Sequence, residues 1–160
     1  MRTYDLNYLR QAIAVAADAR RSGNHPFGAV LVDADGRLLL QAENTVNTAH
    51  DCTGHAETNL IRKASAQFSP QVLAGCTLYT STEPCAMCSG AIYWAGIPRV
   101  VYGLPETALA AMTGDDPNNP TLVLSSELVL NSGTRKVEVV GPLLAEEAAK
   151  VHAGFWRAEV

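Results

Sequence analysis

The chain has 160 residues, a length that suffices for one domain with a sizeable core and no help from disulfides. Apolar residues make up 48% of it and charged residues 18%, a balance that argues against bulk disorder and predicts a globular protein. The formal net charge of −4 argues against the broad basic surface that holds many phosphates. We therefore expect no nucleic-acid partner.

The expected compartment follows from what the sequence lacks. No stretch approaches the roughly 20 apolar residues of a membrane span, and the N-terminal segment lacks the pattern of a cleavable signal. Four cysteines are too few for a disulfide scaffold. We expect a cytoplasmic protein without a membrane partner, in which Cys85-Ala-Met-Cys88 indicates metal or redox chemistry.

An amphipathic helix is predicted at the start of the chain. Asp5 is in position to cap it, and Gly23 to end it. The apolar residues at three- and four-residue spacing, which define its predicted buried face, are Leu6, Leu9, Ile13, Ala16 and Ala17.

A β-hairpin and a second helix are predicted next. Two apolar runs within 27–42 surround a turn sequence at 33–36, the pattern of two strands joined by a tight turn. After a polar stretch, the residues of 56–66 suit a helix with one buried face. His55 and Glu57 then lie at its first turn.

The middle of the chain predicts a strand, a helix and a second strand. Residues 77–80 and 99–103 are the strands, and Pro84 suits the first position of a helix that runs to about Ala95. Two strands joined in this way form a parallel pair with a right-handed crossover. Cys85 and Cys88 fall on the opening turn of that helix.

The last third of the chain completes the predicted fold. A loop over 113–120 precedes a strand over 136–140, and Pro142 opens a final helix that reaches roughly His152. The elements together predict a mixed five-stranded sheet flanked by helices, a three-layer α/β/α architecture. We expect one domain over 1–160.

The strongest chemical signal is a set of metal-binding side chains. Cys85 and Cys88 are at i and i+3 on one side of a helix start, where exposed N–H groups favour thiolates. An imidazole from His55 would be the third ligand of a tetrahedral Zn²⁺ ion and would leave one position for water, as catalytic zinc sites require. Glu57, two residues from that imidazole, is a carboxylate able to carry protons.

Other interpretations of the cysteine pair remain open from the residues alone. The pair can form a redox dithiol or half of a structural zinc site. A structural zinc normally has four protein ligands, for which Cys52 and Cys76 are the candidates. We expect Cys76, at the start of a predicted strand, to belong to the core instead, and Cys52 to be a bystander, with a role in the pocket or in redox chemistry as its alternative.

Two linked motifs resemble those of a known family. His55-Ala56-Glu57 and Pro84-Cys85-Ala86-Met87-Cys88 match the H-x-E and P-C-x-x-C signature of zinc-dependent nucleobase and nucleoside deaminases of the cytidine deaminase-like fold. The resemblance extends over roughly residues 5–104. It implies one Zn²⁺ per chain held by His55, Cys85 and Cys88, with Glu57 as the catalytic proton shuttle of a hydrolytic deamination.

The resemblance also implies contacts with the substrate. Residues 26–30, which include Phe27, resemble the first-strand segment of the family, and Asn44 resembles the asparagine that hydrogen-bonds the base. The backbone N–H of Ala56 would lie near the substrate. Without the resemblance, an asparagine at the end of a strand is better explained as a turn residue.

The branch of the family is suggested by the form of the second motif. P-C-x-M-C together with Ala91-Ile-Tyr-Trp-Ala95 looks most similar to guanine deaminases and tRNA adenosine deaminases. The acidic balance favours a small substrate, with guanine first and cytosine, a nucleoside, another aminopurine or an aminotriazine behind it. A tRNA adenosine deaminase and a non-catalytic, zinc-stabilised binding module are the remaining alternatives.

Guanine deaminases of this fold carry a second acidic residue and aromatic residues that close over the base. Asp115 and Asp116 are the corresponding acidic candidates, and Phe155 and Trp156 the aromatic ones. The segment 142–160 would then cap the site, and the family predicts a homodimer. The alternatives are turn residues for the two aspartates and simple docking of the tail for the aromatic residues. Trp94 is expected in the core.

Overall fold

The computed structural model describes residues 1–114 and 116–156. Its strands are β1 (Gly28–Val32), β2 (Leu38–Glu43), β3 (Thr77–Thr82), β4 (Arg99–Leu104) and β5 (Glu138–Val140). Its helices are α1 (Asp5–Arg21), α2 (Val46–Ala49), α3 (Ala56–Gln67), α4 (Pro70–Leu73), α5 (Ala86–Ala95), α6 (Glu106–Thr113), α7 (Ser126–Leu130) and α8 (Ala145–Lys150).

The five strands form one mixed sheet in the order β2-β1-β3-β4-β5. β1 is antiparallel to both β2 and β3, whereas β3, β4 and β5 run parallel to one another. The predicted hairpin and the predicted parallel crossover through α5 are both present. The mixed five-stranded sheet predicted from the sequence is therefore confirmed.

Alternating side chains of the central strands cover the two faces of the sheet. On one face, the buried cluster contains Leu9, Ala12 and Val15 of α1 with Val30, Val32, Tyr79 and Val101. On the other face, it contains Leu60 of α3 and Ile92 of α5 with Ala29, Leu31, Leu78 and Val100. Because neighbouring residues of a strand point to opposite faces, the alternation produces three layers, helix, sheet and helix.

The first helix differs from the prediction in its cap and in its buried face. Tyr4, not Asp5, is the residue before the helix, and Asp5 is completely buried. The prediction that Asp5 caps the helix is wrong because its carboxylate instead binds Arg99 and Tyr79. The buried face contains Leu9 and Ala16 as predicted, but Leu6, Ile13 and Ala17 are only half-buried, and Ala12, Val15 and Ala19 are buried in their place.

Later elements also begin and end differently. The helix predicted from Pro84 begins at Ala86, with Cys85 as the residue before it. The last helix is shorter than predicted, because it spans Ala145–Lys150 and not the residues from Pro142 to His152. Trp94 is 80% exposed, so the prediction that it belongs to the core is wrong. α2, α4, α6 and α7 were not predicted.

Strand direction collects several chain segments at one edge of the sheet. β3 and β4 are parallel, so the residues that follow them, Glu83 and Pro105, leave the sheet at the same edge. β1 runs the opposite way and begins there, and β2 pairs with it so that Gly28 is opposite Glu43. The entry to β1 and the exits from β2, β3 and β4 therefore share one edge.

The described part of the chain, 1–114 and 116–156, contains no helix with both the length and the apolar character that crossing a membrane requires.

A buried charge cluster joins the start of α1 to the sheet. The guanidinium of Arg99 donates hydrogen bonds of 2.8 and 2.7 Å to the two carboxylate oxygens of Asp5, and the hydroxyl of Tyr79 donates one of 2.7 Å. Burial by itself would raise the pKa of Asp5, but these hydrogen bonds outweigh it and hold that pKa well below its usual range.

Replacing Asp5 with Asn should lower the free energy of unfolding at pH 7 by about 3 kcal/mol, the lower end of the range for breaking a buried ion pair, because the buried Arg99 then keeps only the exposed carboxylate of Glu138 as a partner. The stabilisation is complete above the pKa of an unfolded aspartate, about 3.9, and is lost as the pH falls toward the lower folded pKa. Urea unfolding should therefore show a smaller difference at pH 3 than at pH 7. Asp18→Asn, which removes an exposed partner of Arg21, is the control with a much smaller effect. An equal Asp5→Asn difference at both pH values would contradict the assignment.

Candidate metal centre and active site

Two helix starts carry the predicted metal ligands. His55 is the residue immediately before α3, and Cys85 is the residue immediately before α5; both have extended backbone conformations. Cys88 lies in the first turn of α5. Because α3 and α5 pack against each other beneath the sheet, their starts bring the three side chains together.

The three donor atoms are spaced as one zinc ion requires. The Nδ1 atom of His55 is 3.5 Å from the Sγ atom of Cys85 and 3.6 Å from that of Cys88, and all three donors lie within 4.8 Å of one another. Tetrahedral bonds of typical Zn–N and Zn–S length place nitrogen and sulfur about 3.5 Å apart. The residues present therefore fit Zn²⁺, and three protein ligands leave one position for water.

The surroundings of the two thiols favour a ligand in thiolate form. A hydrogen bond with Cys88 is the main cause that lowers the pKa of Cys85 to about 4, and the neighbouring His55 acts in the same direction. The same hydrogen bond, together with burial, raises the pKa of Cys88. The hydroxyl of Thr58 lies 3.2 Å from the Sγ atom of Cys88. One thiolate is thus already favoured by the protein alone.

Glu57 lies beside the metal ligands with almost no exposure to solvent. Its side chain is on the first turn of α3, the residue is 5% exposed, and the hydroxyl of Thr80 donates a hydrogen bond of 2.5 Å to its Oε1 atom. Burial raises the pKa of Glu57 above its ordinary value, and the Thr80 hydrogen bond opposes this. A buried carboxyl group that lies beside the metal ligands is placed to accept a proton from water and to return it.

A cavity of about 570 Å³ opens in front of these residues. Five of the predicted site residues line it, namely Phe27, Asn44, His55, Glu57 and Cys85. The Oδ1 atom of Asn44 accepts a hydrogen bond of 3.0 Å from the backbone N–H of Val46, which leaves its amide N–H₂ without a protein acceptor among residues 1–114 and 116–156. Both explanations of Asn44, turn residue and substrate contact, are therefore compatible with its position.

Two of the residues predicted to contact the substrate, Asp116 and Ala56, do not line the cavity. Asp116 is buried outside the cavity lining, and its Oδ1 atom accepts hydrogen bonds from the backbone and side-chain amides of Asn118. Asp115 lies outside the described residues. Ala56 is fully buried and does not line the cavity. Asp116 thus shapes a turn beside the cavity, and a role in binding substrate stays a prediction for all three.

The predicted aromatic residues at the C-terminal end lie behind the cavity wall. The ring of Trp156 is centred 6.0 Å from that of Phe27, and the ring of Phe155 is centred 5.8 Å from that of His25. Phe27 and His25 line the cavity, whereas Phe155 and Trp156 do not. The last described residues therefore support the wall from outside, and a closing movement over the substrate stays a prediction.

A histidine holds this aromatic group together. The indole N–H of Trp156 donates a hydrogen bond of 3.0 Å to the Nδ1 atom of His152, which is buried. Burial lowers the pKa of His152 to about 4, so the imidazole is neutral at neutral pH and can accept this hydrogen bond.

One carboxylate of the cavity was not predicted. Glu106, the first residue of α6, lines the cavity together with Glu57 and is 7% exposed. Burial, with a smaller contribution from the negative charge of Cys85, raises the pKa of Glu106 to about 7. Its position in the sequence could have indicated it. Glu106 comes just after β4, which runs parallel to β3, the strand that precedes the two cysteines. The segment 118–122 also lines the cavity.

Comparison with known proteins identifies the family. Residues 2–104 match the model of the cytidine and deoxycytidylate deaminase zinc-binding region, which is more than half of the chain. This chain belongs to the cytidine and deoxycytidylate deaminase family. It is accordingly a hydrolytic deaminase with a zinc-binding region, and His55, Cys85 and Cys88 form the cluster that can hold the zinc ion.

Individual relatives of this deaminase act on different substrates. It is 44% identical over 152 residues to a probable cytosine deaminase from Schizosaccharomyces pombe, a match that covers 95% of this chain and 92% of that protein. It is 43% identical over 110 residues to guanine deaminase from Bacillus subtilis, with 68% and 70% covered. A solved structure from work on A-to-I editing by tRNA:A34 deaminases has a TM-score of 0.70 and 30% identity, and the match covers 91% of this chain and 99% of that one.

Replacing Cys88 with Ser should remove zinc from the purified deaminase, because a hydroxyl is a poor substitute for a buried thiolate ligand. Elemental analysis after dialysis should find about one zinc ion per wild-type chain, as three-ligand catalytic sites hold, and almost none in the variant. Cys52→Ser and Cys76→Ala are the matched controls and should keep the metal, because neither cysteine belongs to the cluster. Zinc loss in Cys52→Ser would instead indicate a closed four-ligand site.

Proposed function

We propose that this protein is a zinc-dependent hydrolytic deaminase of a small nitrogen heterocycle, with guanine, which would become xanthine, as its first substrate. The observation that carries the proposal is the arrangement of Glu57 beside the three-ligand cluster at the wall of one cavity. A purely structural zinc site needs neither a buried carboxylate beside its ligands nor a cavity in front of them.

The chemistry divides between the metal and the protein. When bound, zinc lowers the pKa of a coordinated water and so supplies a nucleophile at neutral pH. Glu57 would take one proton from the attacking water and pass it to the ring nitrogen, and would then take the second proton of the added water and pass it to the departing amino group. Water thereby adds to an amidine-like ring carbon, the exocyclic C–N bond breaks, and ammonia leaves. Thr80 holds the Glu57 carboxyl group in one orientation for both transfers.

The size and charge of the site support a small substrate. A cavity of about 570 Å³ is within the range of small-molecule pockets. Its wall includes the segment 118–122, and the net charge of the chain is −4. A folded RNA would need clustered basic side chains that follow its phosphates. We therefore do not propose tRNA as the substrate. We also propose that the protein is cytoplasmic.

Guanine and cytosine are the two leading candidates for the substrate. The form of the P-C-x-M-C motif and the 43% identity to a guanine deaminase favour guanine. The 44% identity to a probable cytosine deaminase, over 95% of this chain, favours cytosine as the second candidate. We retain Asn44 and Phe27 as contacts with either base, because both line the cavity.

Ammonia release from a panel of bases and nucleosides is the direct test. Zinc-loaded wild-type protein should release ammonia from guanine, or from cytosine if the second candidate holds. Glu57→Gln should lower kcat by about 10²- to 10⁴-fold, the usual contribution of a general acid–base group, while the zinc content stays that of the wild type. Absence of ammonia from every compound would favour the zinc-stabilised binding module, and wild-type turnover in Glu57→Gln would contradict the role of this residue.

A homodimer is part of the same proposal. Trp94 of α5 and Leu128 of α7 are 80% and 60% exposed, on two helices that pack side by side. Contiguous exposed apolar patches often mark an interface, and we propose that these two side chains belong to one.

Trp94→Glu should therefore convert a wild-type dimer into a monomer, because the substitution places a charge in an apolar contact. Sedimentation equilibrium measures the change, and Leu38→Glu, at an exposed position of β2, is the control that should leave the mass of the assembly unchanged. A wild-type monomer would refute the proposed dimer and leave the proposed chemistry intact.

A further inference from the structure

We infer that Glu106 is a substrate-binding residue whose carboxylate accepts a hydrogen bond from a ring N–H of the heterocycle other than the ring nitrogen that Glu57 protonates. The inference deepens the proposed function and rests on it. The observation behind it is that the cavity lining contains two buried carboxylates, of which the mechanism uses only Glu57.

The position of Glu106 is tied to the metal centre by a hydrogen bond. Its backbone N–H donates to the Oε2 atom of Glu83 over 3.0 Å, and Glu83 is two residues before Cys85. The other carboxylate oxygen of Glu83 accepts hydrogen bonds from the backbone N–H and the hydroxyl of Ser126, at 3.0 and 2.9 Å. Glu83 therefore holds the starts of α6 and α7 against the segment that leads to the metal ligands, so Glu106 is not a freely moving surface residue.

The carboxylate of Glu106 has no partner inside the described protein. Within residues 1–114 and 116–156, its side chain takes part in no hydrogen bond and no ion pair, although it is almost completely buried. The carboxylate of Glu57, in contrast, is bound by Thr80. The carboxylate oxygens of Glu106 are not among the fully buried side-chain atoms that lack a partner, so they are open to the cavity, where a hydrogen-bond donor of a bound molecule can reach them.

The chemistry of the Glu106 carboxylate restricts which substrate groups it can bind. An ionised carboxylate only accepts hydrogen bonds, so it pairs with N–H groups and not with a carbonyl oxygen or an unprotonated ring nitrogen. In the proposed mechanism, Glu57 already transfers protons to the leaving amino group and to one ring nitrogen beside it. Guanine and cytosine each keep a ring N–H elsewhere on the molecule, and the free amide N–H₂ of Asn44 can donate to their carbonyl oxygen.

Asp116 does not fill this role in the described structure. Both hydrogen bonds of its Oδ1 atom stay within the turn, to the backbone and side-chain amides of Asn118. Asn118 lines the cavity, whereas Asp116 does not. Glu106 is therefore the acidic residue that can reach a substrate without any rearrangement of this turn.

The test compares substrates that carry or lack the ring N–H. For guanine the probes are 1-methylguanine and 9-methylguanine, and for cytosine the probe is 1-methylcytosine; each methyl group replaces one ring N–H. Assays are run at pH 8, where a carboxyl group with a pKa of about 7 is mostly ionised. Glu106→Ala should raise KM for the unmodified base by about 10- to 100-fold, the value of a hydrogen bond to a charged group, with a smaller change in kcat.

The decisive readout is coupling between the side chain and the methyl group. In the wild type, methylation of the ring N–H that Glu106 binds should raise KM by about the same factor as the Glu106→Ala substitution does. In Glu106→Ala, the same methyl group should cause no further increase in KM. Glu106→Gln keeps a carbonyl oxygen as acceptor and should recover part of the binding. Glu127→Gln, which removes an exposed negative charge, is the matched control and should behave as the wild type. Zinc content and circular dichroism should be the same in all variants.

The outcomes separate the inference from the proposed function. The inference alone is overturned if the wild type is active and Glu106→Ala has an unchanged KM. It is also overturned if KM rises in Glu106→Ala but each methyl group still raises KM as much as it does in the wild type. A wild type that releases no ammonia refutes the proposed function. Calorimetry with guanine and cytosine then decides on Glu106: binding by the wild type that Glu106→Ala loses supports the contact, whereas unchanged or absent binding overturns it.

Discussion

The packing of α3 against α5 is the interaction on which the metal centre depends. Leu60 of α3 and Ile92 of α5 belong to the same buried cluster beneath the sheet, and the two ligand-bearing starts lie at one end of this contact. His55 and Cys85 therefore obtain their 3.5 Å separation from the core and not from a flexible loop. A ligand set held in this way is organised before the metal binds, which reduces the loss of conformational entropy on binding.

Strand direction explains why the rest of the cavity forms in front of the metal ligands. β3 and β4 end at the same edge, so the segment that leads to Cys85 and the residue that begins α6 are neighbours. The hairpin of β1 and β2 adds Phe27 where it enters and Asn44 where it leaves. Four segments distant in sequence thus meet at one edge, as is usual for ligand sites of open α/β sheets.

The parts of the molecule that depend on short-range patterns were predictable. The spacing within H-x-E and C-x-x-C is local, so His55, Glu57, Cys85 and Cys88 followed from the sequence, as did the mixed sheet. Glu106 did not, because no local motif marks it and its place in the cavity follows only from the parallel pairing of β4 with β3. The burial of Trp94 was mispredicted for another reason. Almost every position of α5 is apolar or small, so the sequence does not show which face is buried.

Substrate choice must come from residues outside the metal centre. In the proposed mechanism, the three ligands and Glu57 act on the amidine-like carbon and its amino group, which guanine, cytosine and adenosine all possess, so they cannot distinguish among these substrates. Discrimination requires polar side chains that form hydrogen bonds with the rest of the ring. A substrate that leaves such a buried side chain without a hydrogen-bond partner binds much more weakly. In this cavity, Asn44 offers a free donor and Glu106 a free acceptor, a pair that suits adjacent carbonyl and N–H groups. Adenine lacks that combination, so the same two residues that would bind guanine or cytosine would leave adenine poorly paired.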